Sequence, residues 1–116
     1  KNDVRMISGC EDRQTSADVS NGGSFGLPDP AGSAGGACTA CLLKVLYENE
    51  ERPNETFSFV DVLTSVRCEL KGKGLSQIPQ LTASNPIDVT VPFELVPEAA
   101  TGTRRAVLIG INYVGQ

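Results

Sequence analysis

The side chains in this chain with the clearest capacity for chemistry are its four cysteines, Cys10, Cys38, Cys41 and Cys68, set in a sequence with no histidine at all. Cys10 lies in "ISGCEDRQTSADV", residues 7–19, behind a glycine and ahead of acidic and hydroxyl residues. A cysteine attacks as thiolate, and cysteine hydrolases generate that thiolate with an adjacent histidine that also protonates the leaving amine. Cys10 has no such partner. Lysine or carboxylate bases exist in principle, but negative charge at Glu11 and Asp12 disfavours a second anion beside them. The "CTAC" of residues 38–41 has the C-x-x-C form of zinc sites and thiol oxidoreductases, yet no second pair and no histidine pair completes a metal set, so no metal ligand is assigned. A redox dithiol would place its first cysteine at a helix N-terminus after a strand, whereas Cys38 and Cys41 fall within an apolar helical stripe. Cys38, Cys41 and Cys68 therefore read as small buried hydrophobes kept reduced, with a thiol redox role as the rival.

These residues must be positioned by a chain of 116 residues and 12.2 kDa, which is one domain or part of one. It is 40% apolar and 21% charged, a globular composition, and its net charge of -4 argues against a general nucleic-acid surface and suits recognition of a basic group. No apolar run approaches the roughly 18 residues of a membrane span and no signal-peptide pattern follows Lys1, so the expected compartment is intracellular, by default the cytoplasm.

"VRMIS", residues 4–8, is a short strand candidate ending at Gly9. From Gly9 to Gly36 the chain is rich in Gly, Ser, Asp, Asn, Pro and Thr, with "NGG" and "LPDPAG" as turn signals; loops of such length in compact domains are usually functional or mobile. Ala37, Cys38, Cys41, Leu42, Val45 and Leu46 recur at helical spacing up to Tyr47, before "ENEERPNE" ends the segment. A second helix is expected from a cap near Thr56, with Phe59, Leu63, Val66 and Leu70 on one face and Gly72 and Gly74 after its end; Arg67, at the edge of that face, would form a surface ion pair. "IDVTVPFEL", residues 87–95, alternates strictly and predicts a strand with one solvated face, at a sheet edge or bulged because Pro92 cannot donate. "RRAVLIGINY", residues 104–113, is a continuous apolar run of the kind buried on both faces of a parallel sheet. The expected class is α/β, helices layered over sheet, and three strands are too few to cover the last of them.

Four stretches together resemble the metacaspases, caspase-like cysteine peptidases. "SGCEDRQTSADV" resembles the string that opens the family's small-subunit region, "GGACTACLLKVL" its first helix, and "FSFVDVLTSVRCELKGKGLSQIPQLTASNPIDVTVPFEL" the helix, Pro-Gln-Leu turn and closing strand; "RRAVLIGINYVGQ" is similar to the first strand of the large, catalytic subunit. Small-subunit motifs preceding the large subunit resemble the order in the type III metacaspases of algae. The resemblance implies a small-subunit-like region over 1–95, a linker over 96–103 ("VPEAATGT") and the start of the catalytic subunit over 104–116. It also implies part of a caspase-like three-layer fold, a mostly parallel sheet flanked by helices. The family's Gly-His-Gly and Asp-x-Cys-His-Ser-Gly strings do not occur in this sequence, so no catalytic residue carries over and this chain alone is expected to be inactive.

For the complete enzyme the resemblance implies calcium-dependent proteolysis after Arg or Lys, of the kind tied to programmed cell death, with the large catalytic subunit and basic peptides as partners and with calcium held outside this chain. Cys10 then sits at a non-nucleophilic position in the loop leaving the first strand, where a loop can wall a substrate groove. Cys10, Asp12, Gln14, Ser16 and Asp18 are the groove candidates. The competing reading is that Asp12, Gln14, Thr15, Ser16 and Asp18 brace their own loop through Asx and hydroxyl turns; for Asp12 both stand, and for Asp18 the bracing role is preferred. A regulatory module docking on a catalytic partner is the main alternative function.

Overall fold

A computed structural model of the chain describes residues 3–19, 22–26, 35–50, 56–96 and 99–109. Its elements are β1 (Arg5–Ser8), β2 (Asp18–Val19), a single 3-10 turn (Gly22–Phe25), β3 (Gly35–Gly36), α1 (Ala37–Glu50), α2 (Phe59–Gly72) and β4 (Gln80–Ala83). The "LPDPAG" turn signal, the end of "ENEERPNE" and residues 110–113 of the last expected strand lie outside the described residues.

Both helices follow the spacing of their apolar residues. α1 buries Ala37, Cys38, Ala40, Cys41 and Val45, and α2 buries Phe59, Val62, Val66 and Leu70. These faces, Phe59 apart, join with Phe25 in one core, which Ala17, Val19, Leu75 and Phe93 flank. An ion pair from Lys44 Nζ to Glu69 Oε2 at 2.7 Å ties the two helices at their half-exposed edge.

The cap of α2 is Ser58, two residues beyond the expected Thr56. The Asp61 N–H donates to Ser58 Oγ at 3.2 Å and the Ser58 N–H donates to Asp61 Oδ2 at 3.0 Å, a reciprocal capping box. The helix stops in a Schellman turn: Leu75 N–H donates to Leu70 O and Gly74 N–H to Lys71 O, both at 3.0 Å. Gly74 has φ +73°, a conformation that favours glycine.

The two ladders among the described residues are antiparallel. β1 pairs with β4 in the register Arg5↔Ala83 to Ser8↔Gln80, and β2 pairs with β3. The helices and sheet agree with an α/β caspase-like arrangement, but no parallel pairing occurs among the described residues. Because β1 ends where β4 begins, the loop leaving β1 and the connector entering β4 meet at one end of the ladder.

Several expectations are corrected. Residues 87–95 do not form a strand. Asp88 Oδ1 accepts from Thr90 N at 2.9 Å, making a turn that breaks the extended run. Within and just after it, the carbonyls of Val89 and Val91 accept the first two amides of α2, Val60 N–H at 3.0 Å and Phe59 N–H at 3.3 Å. The segment thus satisfies a helix N-terminus rather than a sheet; it bridges Ser58 at Pro92, with Phe93 N–H donating to Phe57 O at 2.7 Å. Residues 104–109 of the expected last strand are irregular, with Val107, Leu108 and Ile109 exposed to 85%, 91% and 84%; neither described ladder offers this apolar run a neighbour. Cys68 is exposed, not buried. Arg67, expected in a surface ion pair, instead donates from Nε and Nη2 to Pro79 O at 3.0 and 2.6 Å, anchoring the connector before β4 to α2. No helix among the described residues is long and apolar enough to cross a membrane.

Candidate functional site

The loop leaving β1 is shaped by bonds it makes to itself and to the connector 75–79. Gln14 N–H donates to Glu11 O at 2.9 Å, closing a turn with Asp12 and Arg13 at its exposed tip. Cys10 is half-buried; its Sγ donates to Gln14 O and its carbonyl accepts from Ser8 Oγ, both at 3.3 Å. The thiol braces the turn. Gly9 allows a close approach: a Cβ there would stand 2.7 Å from Ser16 Oγ, so that hydroxyl would have to shift.

Two glutamines cross the gap between loop and connector in opposite directions. Gln14 Nε2 donates to Ser76 O at 2.6 Å and Gln14 Oε1 accepts from Ile78 N–H at 2.8 Å. From the other side, Gln77 Oε1 accepts from Ala17 N–H at 2.8 Å, while its Nε2 donates to Gly9 O at 2.8 Å and to Ser16 Oγ at 3.4 Å.

Of the five groove candidates, then, the structure turns Cys10 and Gln14 toward the loop's own framework, while Ser16 is exposed and lends its Oγ to Gln77. Asp12 is exposed at the tip, and Asp18, also exposed, belongs to β2 opposite Gly36. Gln77 was not foreseen, since a glutamine between two elements reads by default as a solvated loop residue; its place between Leu75 and Pro79, both buried or partly so, was the available signal. A cleft of about 490 Å³ lies elsewhere, lined by Arg5, Ile7, Phe59, Leu81, Phe93 and Glu94 among others, and by none of the five candidates.

Contrary to the expectation from sequence, Cys38 does stand in the first turn of a helix directly after a strand, α1 after β3, so what argues against redox work is the protonation of the two buried thiols. Burial pushes the Cys41 thiol up to about 11, with the Glu69 carboxylate adding to the effect, and burial likewise raises Cys38, with Cys10 contributing. A dithiol oxidoreductase needs the opposite shift, toward thiolate at neutral pH. Among the described residues no group of three or more His, Cys, Asp or Glu side chains could hold a metal ion. The site offers a braced loop whose exposed turn carries Glu11, Asp12 and Arg13, and the sequence supplies no histidine to act as a general base beside it.

A family model described as "Caspase domain" matches residues 1–90. "Metacaspase III c" of Phaeodactylum tricornutum is 68% identical over 113 residues, covering 97% of this chain and 34% of that protein. "Metacaspase-3" of Trypanosoma cruzi is 46% identical over 94 residues, 81% of this chain and 24% of that protein. "Inactive metacaspase-4" of Trypanosoma brucei brucei is 36% identical over 93 residues, 80% of this chain and 24% of its own length. The chain thus spans about a third or less of these relatives, and a protein named as inactive shares the matched region.

Proposed function

This chain belongs to the caspase-domain family and within it to the metacaspases, and we propose that it is the non-catalytic half of a cysteine endopeptidase that cleaves after Arg or Lys. On this reading residues 1–95 form a small-subunit-like region, 96–103 a linker and 104–116 the opening of the catalytic portion, which would draw the irregular 104–109 segment into its sheet. The chain supplies core strands and one wall of the substrate groove. The chemistry is acyl transfer: a thiolate attacks the scissile carbonyl, the amine leaves with a proton, and water hydrolyses the thioester. Both reacting residues belong to the catalytic partner portion, because this sequence has no histidine and its four cysteines lie outside any Asp-x-Cys-His-Ser-Gly string.

The observation that carries the reading is the exposed turn Glu11–Arg13, held at the carboxyl end of β1 with Asp12 at its tip. An acidic group on a fixed loop can receive the cationic end of a substrate Arg or Lys. A solvated pair of this kind contributes under about 1 kcal/mol, and one desolvated by substrate more. Calcium is proposed for the complete enzyme, but the described residues of this chain do not fit a calcium site and no step here is routed through it.

The test is peptidase assay of the full-length polypeptide with fluorogenic peptides ending in Arg, Lys, Asp or Ala, beside the 116-residue chain alone. Full-length protein should cleave after Arg and Lys, and the isolated chain should cleave nothing, with or without calcium. Preference for Asp, or turnover by the isolated chain that vanishes in Cys10→Ala, would overturn the proposal.

A further inference from the structure

We infer that Gln77 and Gln14 are positioning residues for substrate recognition: their reciprocal amide clasp fixes the loop so that only the turn Glu11–Arg13 meets the substrate. The inference rests on the groove-wall reading above. A primary amide carries an acceptor oxygen and two N–H donors, so it can stand in for a peptide group across a gap. Gln77 is only 5% exposed, and its oxygen and nitrogen are engaged by Ala17 N–H, Gly9 O and Ser16 Oγ. A carboxylate at this position would face the Gly9 carbonyl with lone pairs, and an apolar side chain of the same length would leave two partly buried backbone groups, Gly9 O and Ala17 N–H, without this partner.

Gln14 repeats the arrangement in reverse, spanning Ser76 O and Ile78 N–H. Four backbone groups, two on each segment, are thereby satisfied by the amide of the other. The clasp ends at Ala17 on one side and Gly9 on the other, so it brackets the Glu11–Arg13 turn without involving its side chains. A turn held in place before substrate arrives loses little conformational freedom on binding, whereas an unclasped one must be ordered by the substrate. Gln77 and Gln14 therefore act on binding through the turn, and not on bond breaking.

The experiment compares full-length wild-type enzyme with Gln77→Met and Gln14→Ala, reading kcat and KM on an Arg-ending peptide, the thermal midpoint, and amide exchange at Ala17 and Ile78. Expected is a KM raised about tenfold with kcat within about threefold, and faster exchange at Ala17 in Gln77→Met and at Ile78 in Gln14→Ala, each ahead of global unfolding. Gln14→Ala removes a less buried amide and keeps the test open if Gln77→Met does not fold. Unchanged KM with a lowered midpoint would reduce the clasp to a stability device, and unchanged exchange would show that it does not hold the loop; either overturns the inference. Wild-type enzyme inactive on Arg and Lys peptides would instead overturn the functional reading while the exchange data still report on the clasp.

Discussion

The Cys10 loop and the segment from Arg104 to Ile109 are both irregular, and they differ in what would complete them. The loop finds its partners within the chain, because Gln14, Gln77 and the Cys10 thiol satisfy backbone groups that no sheet pairs. The later segment turns three aliphatic side chains into water. Polar backbone can be satisfied by one well-placed side chain at a time, whereas an apolar run is satisfied only by surfaces laid over both its faces and strands along both its edges. The first region carries its own order, and the second awaits neighbours.

The largest effect should come from breaking that difference at the apolar end. Burying one aliphatic side chain contributes about 1.5–3 kcal/mol, so three of them exposed form a template for association. The isolated chain should self-associate, and Val107→Ser/Leu108→Asn/Ile109→Ser should return it to monomer in sedimentation. In the full-length protein the same triple substitution should lower stability by several kcal/mol in urea unfolding. A wild-type chain that sediments as a folded monomer, with residues 106–109 protected from amide exchange at high dilution, would mean that this segment pairs within the chain.

At the self-contained end a smaller effect is expected. Asp12→Asn in the full-length enzyme should raise KM for Arg peptides by a few fold to about tenfold, the range between a rim pair and a desolvated one, and leave kcat and the thermal midpoint close to wild type. An unchanged KM would leave Asp12 as the tip of a turn and move recognition of the basic side chain to the catalytic portion.

The parts legible in sequence were those governed by one-dimensional spacing. The α1 stripe from Ala37 to Val45 and the α2 face at Phe59, Val66 and Leu70 could be read because helical period and burial coincide, although Val62 rather than the expected Leu63 is buried between them, and Gly74 because its left-handed turn needs glycine. Cys68 was misplaced although the same geometry excludes it: two residues from Val66 and from Leu70, it points about 200° away from both on a helix. The alternation of 87–95 is genuine, but pattern cannot reveal that the Val89 and Val91 carbonyls are claimed by α2 amides. Short β4 at Gln80–Ala83 was missed for the converse reason, since four residues carry too little pattern. Residues 8–19 stand out by their motif, yet how their backbone is held depends on Gln77, some 60 residues away in sequence.

The smallest and most local prediction concerns the start of α2, which belongs with the self-contained regions because its first three amides all have acceptors: Val91 O, Val89 O and Ser58 Oγ. Hydrogen bonds from the Ser58 hydroxyl, and then from its backbone N–H, hold the Asp61 carboxyl below its ordinary 3.8. A carboxyl whose folded value is depressed favours the folded state once pH exceeds the unfolded value, and that contribution is lost as pH falls through the folded one. Ser58→Ala removes the larger of the two lowering partners together with the Asp61 amide's acceptor. In the monomeric Val107→Ser/Leu108→Asn/Ile109→Ser background it should cost about 1 kcal/mol at pH 7, the usual cost of a lost N-cap. It should also make the loss of stability below pH 4 shallower, and Asp61→Asn should flatten that limb further. Urea midpoints at pH 7, 4 and 3 check both points. An acid limb as steep in Ser58→Ala as in its parent would show that the capping box does not set the Asp61 titration, and that the helix start depends on the Val89 and Val91 carbonyls alone.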